Sequence, residues 1–190
     1  MLVEIRGKIR ALVGDLGVVN TEVFEFTTSN IFTICTENIT AINSVKINGN
    51  DLGSGETYSF DSDTNELTLT ATLTSGDLVE VKFTAYKFSE AELDKYIEAG
   101  LVYISMFADN TDDDWEIEDE EIYPTPNNKE EDLIALVASI LIKPDYSSYK
   151  LPNLTVTYPR NMTKEERIVE LVTRFFRGNG VSDNLEWEVY

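Results

Sequence analysis

The sequence has no histidine, a single cysteine and few basic residues. Without histidine, the chain lacks the commonest general base and the commonest metal ligand. The lone Cys35 excludes an internal disulfide and fits a protein made in a reducing cytoplasm. Because 15 Lys and Arg face 35 Asp and Glu, the net charge is -20, and we expect no charge attraction to nucleic acid or to an anionic membrane. No apolar run approaches ~18 residues, so no transmembrane helix is predicted.

The composition allows one large or two small domains, since 42% of the 190 residues are hydrophobic. Helical periodicity marks both ends of the chain, and alternation marks its middle. We therefore predict an α+β fold, in which a bundle of about four helices (residues 1–17 and 89–190) carries an inserted antiparallel β-sandwich (residues 18–88). The N-terminus predicts an amphipathic helix with charges throughout, which argues against a signal peptide.

The stretch from Ser89 to Ala108 has the clearest helical pattern and is predicted to be the central helix. Ser89 suits the N-cap, and Glu92 completes a capping box three residues later. Gly100 costs about 1 kcal/mol relative to Ala inside a helix, so we expect it to let another helix approach closely. The apolar stripe consists of Leu93, Ile97, Leu101, Ile104 and Ala108.

Three further helices are predicted around this one. The first is too short to be stable alone and must dock on another element, with the central helix as the expected partner. The three helices cover residues 2–13, ended by Gly14; residues 129–142, ended by Pro144; and residues 163–177, opened by a capping box of Thr163 and Glu166.

Between the first two helices, short segments rich in Val, Ile, Thr, Tyr and Phe alternate with polar residues. This pattern is typical of a small antiparallel sandwich or barrel. Asn48-Gly49 suits a tight turn with positive φ after the third strand, and Cys35 is predicted to be a core residue. The predicted strands cover residues 22–26, 31–35, 41–47, 57–60, 66–72 and 78–86.

Eight aromatic side chains cluster in this β region. They form either its core or a sugar-stacking face, and we favour the core because most of them alternate with polar residues. They are Phe24, Phe26, Phe32, Tyr58, Phe60, Phe83, Tyr86 and Phe88.

An acidic stretch, Asp109–Glu121, partly matches a calcium-binding loop. Such a loop needs Gly at its sixth position, where Asp114 stands, and its ninth position here is the apolar Ile117. We therefore predict that the stretch binds no calcium and faces solvent, a channel or a partner. The residues at loop positions 1, 3, 5 and 12 are Asp109, Thr111, Asp113 and Glu120.

No catalytic pattern stands out. Paired carboxylates occur by chance in so acidic a chain, and neither a nucleophile elbow nor a Gly-rich phosphate loop is present. We predict a protein that is not an enzyme and that holds no cofactor or metal.

Two segments are predicted to pair with neighbouring molecules. Residues 145–160 form an extended arm, and the tail after the fourth helix alternates apolar residues with glutamates and a tyrosine. An unpaired strand leaves N–H and C=O groups free and tends to join another edge. The predicted interface residues are Leu185, Trp187 and Val189 in the tail and Leu154, Val156 and Tyr158 in the arm.

Four stretches together suggest a family. They are Gly-Asp-Leu-Gly (14 to 17) after the first helix, SEAELDKYIEAGLVYI (89 to 104), EEDLIALVASILI (130 to 142) before the arm, and EERIVELVTRFFRG (165 to 178). In this order they resemble the head–tail connector (adaptor, or head completion) proteins of tailed double-stranded DNA bacteriophages, over roughly half the chain. The β region is a departure, since simpler members have a short loop there, and it resembles the immunoglobulin-like modules of phage structural proteins.

The resemblance implies a structural virion protein of the neck, at the head–tail interface, made in the host cytoplasm. It implies a homo-oligomeric ring, usually of twelve copies, beneath the portal protein and joined to tail or neck completion proteins. Such a ring extends the DNA channel, and an acidic wall lets DNA pass without specific binding.

Two other classes stay open. A surface or secreted binding module would hold carbohydrate on the sandwich and calcium in the acidic stretch, although nothing N-terminal indicates export. A hydrolase has only its carboxylates in favour. A monomer that binds glycans would indicate the module, whereas a ring would indicate the connector.

Overall fold

The computed structural model describes residues 1–108, 115–118, 121–151, 154–159 and 161–178. The chain forms two compact units: a helical unit, Met1–Asp15 with Glu90–Tyr190, and a β unit, Leu16–Ser89. The protein is therefore of the α+β class. In chain order the elements are α1 (Leu2–Val13), β1 (Val18–Glu25), β2 (Ile31–Thr33), β3 (Ile39–Ile47), β4 (Asn50–Asp51), β5 (Tyr58–Asp61), β6 (Glu66–Leu69), β7 (Leu78–Ala85), α2 (Glu90–Phe107), β8 (Glu116–Glu118), β9 (Glu121–Tyr123), α3 (Asn128–Ile142), β10 (Ser148–Leu151), β11 (Leu154–Thr157) and α4 (Lys164–Gly178).

The helical unit contains the four helices that the periodicity predicts, but its most buried helix is α3. This helix packs against α1, α2 and α4, and nine of its residues are buried against five in α2. A helix that is apolar on most sides belongs in the middle of a bundle. The prediction that α2 is the central helix is therefore wrong. The helix that is enclosed is the one with apolar residues around most of its circumference, not the one with the longest apolar stripe.

Gly100 lies where α2 meets α3. A Cβ atom added at Gly100 would lie 3.5 Å from the backbone nitrogen of Ala138 and 3.5 Å from Cγ1 of Val137. α2 and α3 therefore lie close together at Gly100, as predicted. A Cβ would fit there at ordinary van der Waals distance, so the close approach does not depend on the glycine.

Capping residues set the ends of three helices. α1 ends at Gly14, whose φ of 66° lies in the left-handed region. The predicted box of α4 is confirmed: the Thr163 N–H donates to Oε2 of Glu166 (2.8 Å), and the Glu166 N–H donates to Oγ1 of Thr163 (3.2 Å). α3 opens with a second capping box, of Asn127 and Glu130, which the sequence analysis does not identify.

The β unit contains two antiparallel sheets, ordered β1-β7-β3-β4 and β2-β6-β5. The predicted tight turn is present between β3 and β4, where Asn48 and Gly49 have φ of 52° and 80°. Both sheets contribute to one apolar core. Its buried members are Phe32, Ile34, Ile39, Val45, Leu67, Leu69, Val79, Val81, Phe83 and Ala85.

Alternation decides which side chains of the β unit enter this core. Phe24, Phe26 and Phe60 pack against the buried cluster that contains Phe32 and Phe83, so the core interpretation holds for these five aromatic residues. Cys35 is a correction, because it is exposed and not a core residue. Phe32 on β2 and Ile34 just past its end take the core side, and the alternation continues so that Cys35 faces outward.

Candidate functional site

The residues predicted to meet a neighbouring molecule fall into two groups. Leu185, Trp187 and Val189 lie outside the described residues, and Leu154 is the first residue of β11. Val156 and Tyr158 are each only 3% exposed. Their side chains belong to the core of the helical unit and are not available to a partner, because the chain's own residues already cover them. The arm can offer a neighbour its exposed side, which carries Thr155 and Thr157.

The arm is a hairpin anchored to its own unit. β10 and β11 pair in antiparallel register from Ser148↔Thr157 to Leu151↔Leu154. Nη1 of Arg167 on α4 donates to the carbonyls of Pro144 (2.5 Å) and Tyr146 (2.7 Å), and the hydroxyl of Tyr149 donates to the carbonyl of Lys143 (2.5 Å). Hydrogen bonds from a charged guanidinium are stronger than neutral ones, so Arg167 ties α4 to the segment that enters the hairpin.

Two buried polar atoms beside this hairpin have no hydrogen-bond partner within the described ranges, the hydroxyl of Tyr158 and Nε of Arg167. The guanidinium of Arg167 lies 5.8 Å from the centroid of the Tyr158 ring. Burial raises the pKa of Tyr149 to about 12 and raises the pKa of Tyr158 in the same direction. Both phenols are neutral at pH 7. Tyr149 serves hydrogen bonding and Tyr158 serves packing, and neither is suited to proton transfer.

The basic residues of α1 all meet carboxylates within the helical unit. Arg6 forms a bidentate contact with Asp94 (2.8 and 2.7 Å) and bonds Glu90 (2.7 Å). Lys8 lies 2.8 Å from Glu131 and 2.7 Å from Asp132, and Arg10 pairs with the buried Asp15. Desolvation alone would lower the pKa of Lys8, but the hydrogen bonds and charges of Asp132 and Glu131 outweigh it and raise that pKa. The three basic side chains of α1 are therefore each paired with acidic side chains of the helical unit.

Sequence reasoning missed these ion pairs. Arg6 follows Leu2 by four residues and precedes Ile9 by three, so it lies on the flank of the apolar stripe of α1. A basic residue at such a position is the one signal that could have indicated a partly buried charge. Its partner could not be inferred, because Asp94 is 88 residues away in the sequence.

The described part of the acidic stretch is the hairpin β8–β9. Glu116, Glu118 and Glu121 are exposed, whereas Ile122 is fully buried and holds the hairpin to its unit. In the described ranges, no group of three or more His, Cys, Asp or Glu side chains could hold a metal ion. The residues at calcium-loop positions 1, 3, 5 and 12 lie outside the described residues; they are Asp109, Thr111, Asp113 and Glu120.

A groove on the surface of α4 has little to bind a small molecule. Residues of this one helix line it, among them Glu166, Val169, Glu170 and Arg174. Glu170 and Arg174 pair with each other one turn apart. A groove with a single wall leaves water in place, so it lacks the enclosure that substrate sites need.

Comparison with known proteins found no match for this chain, either among protein-family models or among curated proteins. No helix within the described residues is long and apolar enough to cross a membrane. The features that bear on function are therefore the two-unit organisation, the acidic surface and the exposed apolar side chains of the chain itself.

Proposed function

We propose that this chain is a structural virion protein, a head–tail connector of a tailed double-stranded DNA bacteriophage, which forms a ring under the portal and joins head to tail. One observation carries the proposal. The helical unit is assembled from α1 on one side of the β unit in sequence and from α2, α3, the arm and α4 on the other. This is the order of elements on which the resemblance to connectors rests, with the β unit as an inserted β-sandwich.

The distribution of charge supports a channel through which DNA passes without binding. The chain has a net charge of -20, and the hairpin β8–β9 presents Glu116, Glu118 and Glu121 to solvent. The basic residues of α1 are already paired with carboxylates. A surface of this kind repels phosphate groups, so DNA can slide past it.

Exposed apolar side chains of the helical unit support assembly into a ring. Val102 and Met106 lie one turn apart on α2 and are 59% and 68% exposed. Single exposed apolar residues are ordinary, but a pair on one helical face is suited to contact with a neighbouring subunit. In the ring, we assign this face to the contact between adjacent subunits.

Native mass spectrometry and negative-stain electron microscopy of the full chain, alone and mixed with portal rings, test the proposal. We expect closed rings, and we expect the double variant Val102→Asp/Met106→Asp to stay folded by circular dichroism but to lose them. The double variant Ser62→Asp/Thr64→Asp, in the exposed turn between β5 and β6, is the control and should keep the rings. A chain that stays monomeric with portal rings present and binds glycans would instead indicate a carbohydrate-binding module.

A further inference from the structure

The strand β1 is a long edge strand of the four-stranded sheet. It has eight residues, whereas the other end strands of the β unit, β2, β4 and β5, have three, two and four. The Phe26 N–H, just past β1, donates to the carbonyl of Asp77 just before β7. Because main-chain groups alternate along a strand, the N–H and C=O groups of Val19, Thr21 and Val23 point away from β7. Within the described residues, no other strand pairs with that outer edge.

Natural proteins protect such edges with proline, lysine, bulges or short strands, and β1 has none of these. It pairs with β7 one residue to one residue, without a bulge. Val19 and Val23 are 53% and 58% exposed. β1 contains two acids. Glu22 is turned to the other face, where its carboxylate accepts bonds from the N–H groups of Cys35 (3.0 Å) and Thr36 (3.2 Å). Glu25, the last residue of the strand, ends the exposed row, so no charge lies between Val19 and Val23.

We propose that β1 pairs antiparallel with β1 of a second copy, about a two-fold axis at Thr21, and so joins the two sheets into one. The exposed row, Val19, Thr21 and Val23, reads the same in both directions, which is what a two-fold contact requires. In this register Thr21 faces its own copy, Val19 faces Val23, and Glu25 at the end of the row faces Gly17 and not another acid. A register centred on Glu22 would place two glutamates opposite each other, and like charges directly opposite destabilise a pair of strands.

This contact is separate from the proposed ring. Subunits of a closed ring meet through two different surfaces, so a two-fold contact belongs to free chains or to chains of different rings. A single added strand buries an area at the low end of specific interfaces, and the dimer should therefore depend on protein concentration. The inference also stands if the proposed function fails, because it needs only the β unit.

Sedimentation equilibrium of the full-length chain and of two charge variants tests the pairing. The measurement uses the Val102→Asp/Met106→Asp background, which removes the proposed ring contact. In that background we expect a concentration-dependent dimer for the natural β1 and monomers for Thr21→Lys and Thr21→Glu, because each places like charges across the axis. An equimolar mixture of the two variants should recover the dimer as a heterodimer, which native mass spectrometry identifies by mass. Ser59→Lys, on the exposed part of β5, is the matched control and should leave the dimer unchanged.

Several outcomes would overturn the inference. They are a natural sequence that stays monomeric, variants that dimerise as well as it does, and a mixture that stays monomeric although both variants fold by circular dichroism. Loss of the dimer on deletion of residues 184–190 would show that the tail, not a second β1, occupies the edge. Should the charge variants not fold, spin labels report instead: in a Cys35→Ser background, a label at Thr21→Cys should show dipolar broadening that a label at Ser59→Cys lacks. Equal spectra at the two positions would refute the pairing.

Discussion

Different interactions stabilise the interiors of the two units of this protein. The β unit has one apolar core to which both sheets contribute, and its ion pair between Lys46 and Asp51 is long (3.9 Å) and exposed. The helical unit combines the apolar α3 with partly buried ion pairs. In the pair of Arg6 with Asp94, the side chain of Arg6 is only 10% exposed. Charge is therefore a surface property in one unit and part of the interior in the other.

The difference follows from how the partners are aligned. In the β unit, main-chain ladders and the alternation of buried side chains fix the register, even for β1 and β7, which lie at opposite ends of the unit's sequence. α1 must find α2 and α3 after the whole β unit has intervened. Apolar helix faces alone tolerate sliding and rotation, whereas the bidentate contact of Arg6 with Asp94 accepts one geometry. Ion pairs thus specify the docking of α1, which its short apolar stripe could not do alone.

The largest expected effect comes from the apolar core of the β unit. Phe83 is fully buried there, and Phe83→Ala should cost about 3–5 kcal/mol by leaving a cavity. Hydrogen-exchange mass spectrometry should show lost protection in residues 66–85 and little change in α3. In a Trp187→Phe background, the fluorescence of Trp115, which lies in the helical unit, gives an independent readout of that unit. An equal loss in both regions would mean that the units unfold as one, and the comparison would break.

The second test removes a charge from each unit. Arg6→Ala leaves Asp94 partly buried without its partner and should destabilise the helical unit by about 2–4 kcal/mol, close to the cost of breaking a buried pair. The control, Lys46→Ala, breaks an exposed pair and should change stability by less than about 1 kcal/mol. Urea denaturation followed by tryptophan fluorescence measures the stability of the Arg6→Ala variant, and hydrogen exchange of β3 measures that of the Lys46→Ala variant. Similar values for the two variants would remove the distinction between the units.

Local patterns predicted much of the fold. The stripes of α1 to α4, the left-handed Gly14, the Asn48-Gly49 turn and the Thr163 box all depend on neighbours within a few residues. Long-range features were not predictable. The enclosure of α3 and the ion pairs of Arg6 and Lys8 depend on elements that meet only in the folded chain. Val156 and Tyr158 have the pattern of strand residues whether a neighbour or their own unit covers them. Of the predicted interface, the residues of the tail remain a prediction.

The third test probes the apolar contact between α2 and α3. Gly100→Ala adds a Cβ at ordinary van der Waals distance, 3.5 Å from Val137 and Ala138, and removes a helix penalty of about 1 kcal/mol. We expect this variant to be as stable as the natural chain or slightly more stable. Gly100→Leu overfills the same contact and should cost about 1–3 kcal/mol. Thermal unfolding followed at 222 nm compares them. Equal melting temperatures for the two variants would show that the helices are not in close contact at this point.

The smallest effects concern the two buried phenols of the helical unit. Tyr149→Phe removes the hydrogen bond to the carbonyl of Lys143 and should cost about 1 kcal/mol. Tyr158→Phe removes a hydroxyl that has no partner in the described part of the chain, so it should be neutral or slightly stabilising. The two substitutions are chemically identical, and urea midpoints separate them. A larger loss for Tyr158→Phe would show that its hydroxyl is bonded.

Unfolding at alkaline pH gives a second test of Tyr149 and Tyr158. In the unfolded chain a tyrosine ionises near pH 10, whereas burial raises the pKa of Tyr149 to about 12 in the folded unit. Between these values the unfolded chain has released a proton that the folded chain keeps, so the free energy of unfolding falls as pH rises from about 10 to 12. Tyr149→Phe and Tyr158→Phe should each make this fall shallower, measured as urea midpoints at pH 8, about 10 and about 11. Tyr58→Phe, at an exposed residue of the β unit, should leave the pH dependence of the helical unit unchanged. If the free energy of unfolding falls as steeply with pH in all three variants as in the natural chain, the pH dependence comes from residues other than Tyr149 and Tyr158.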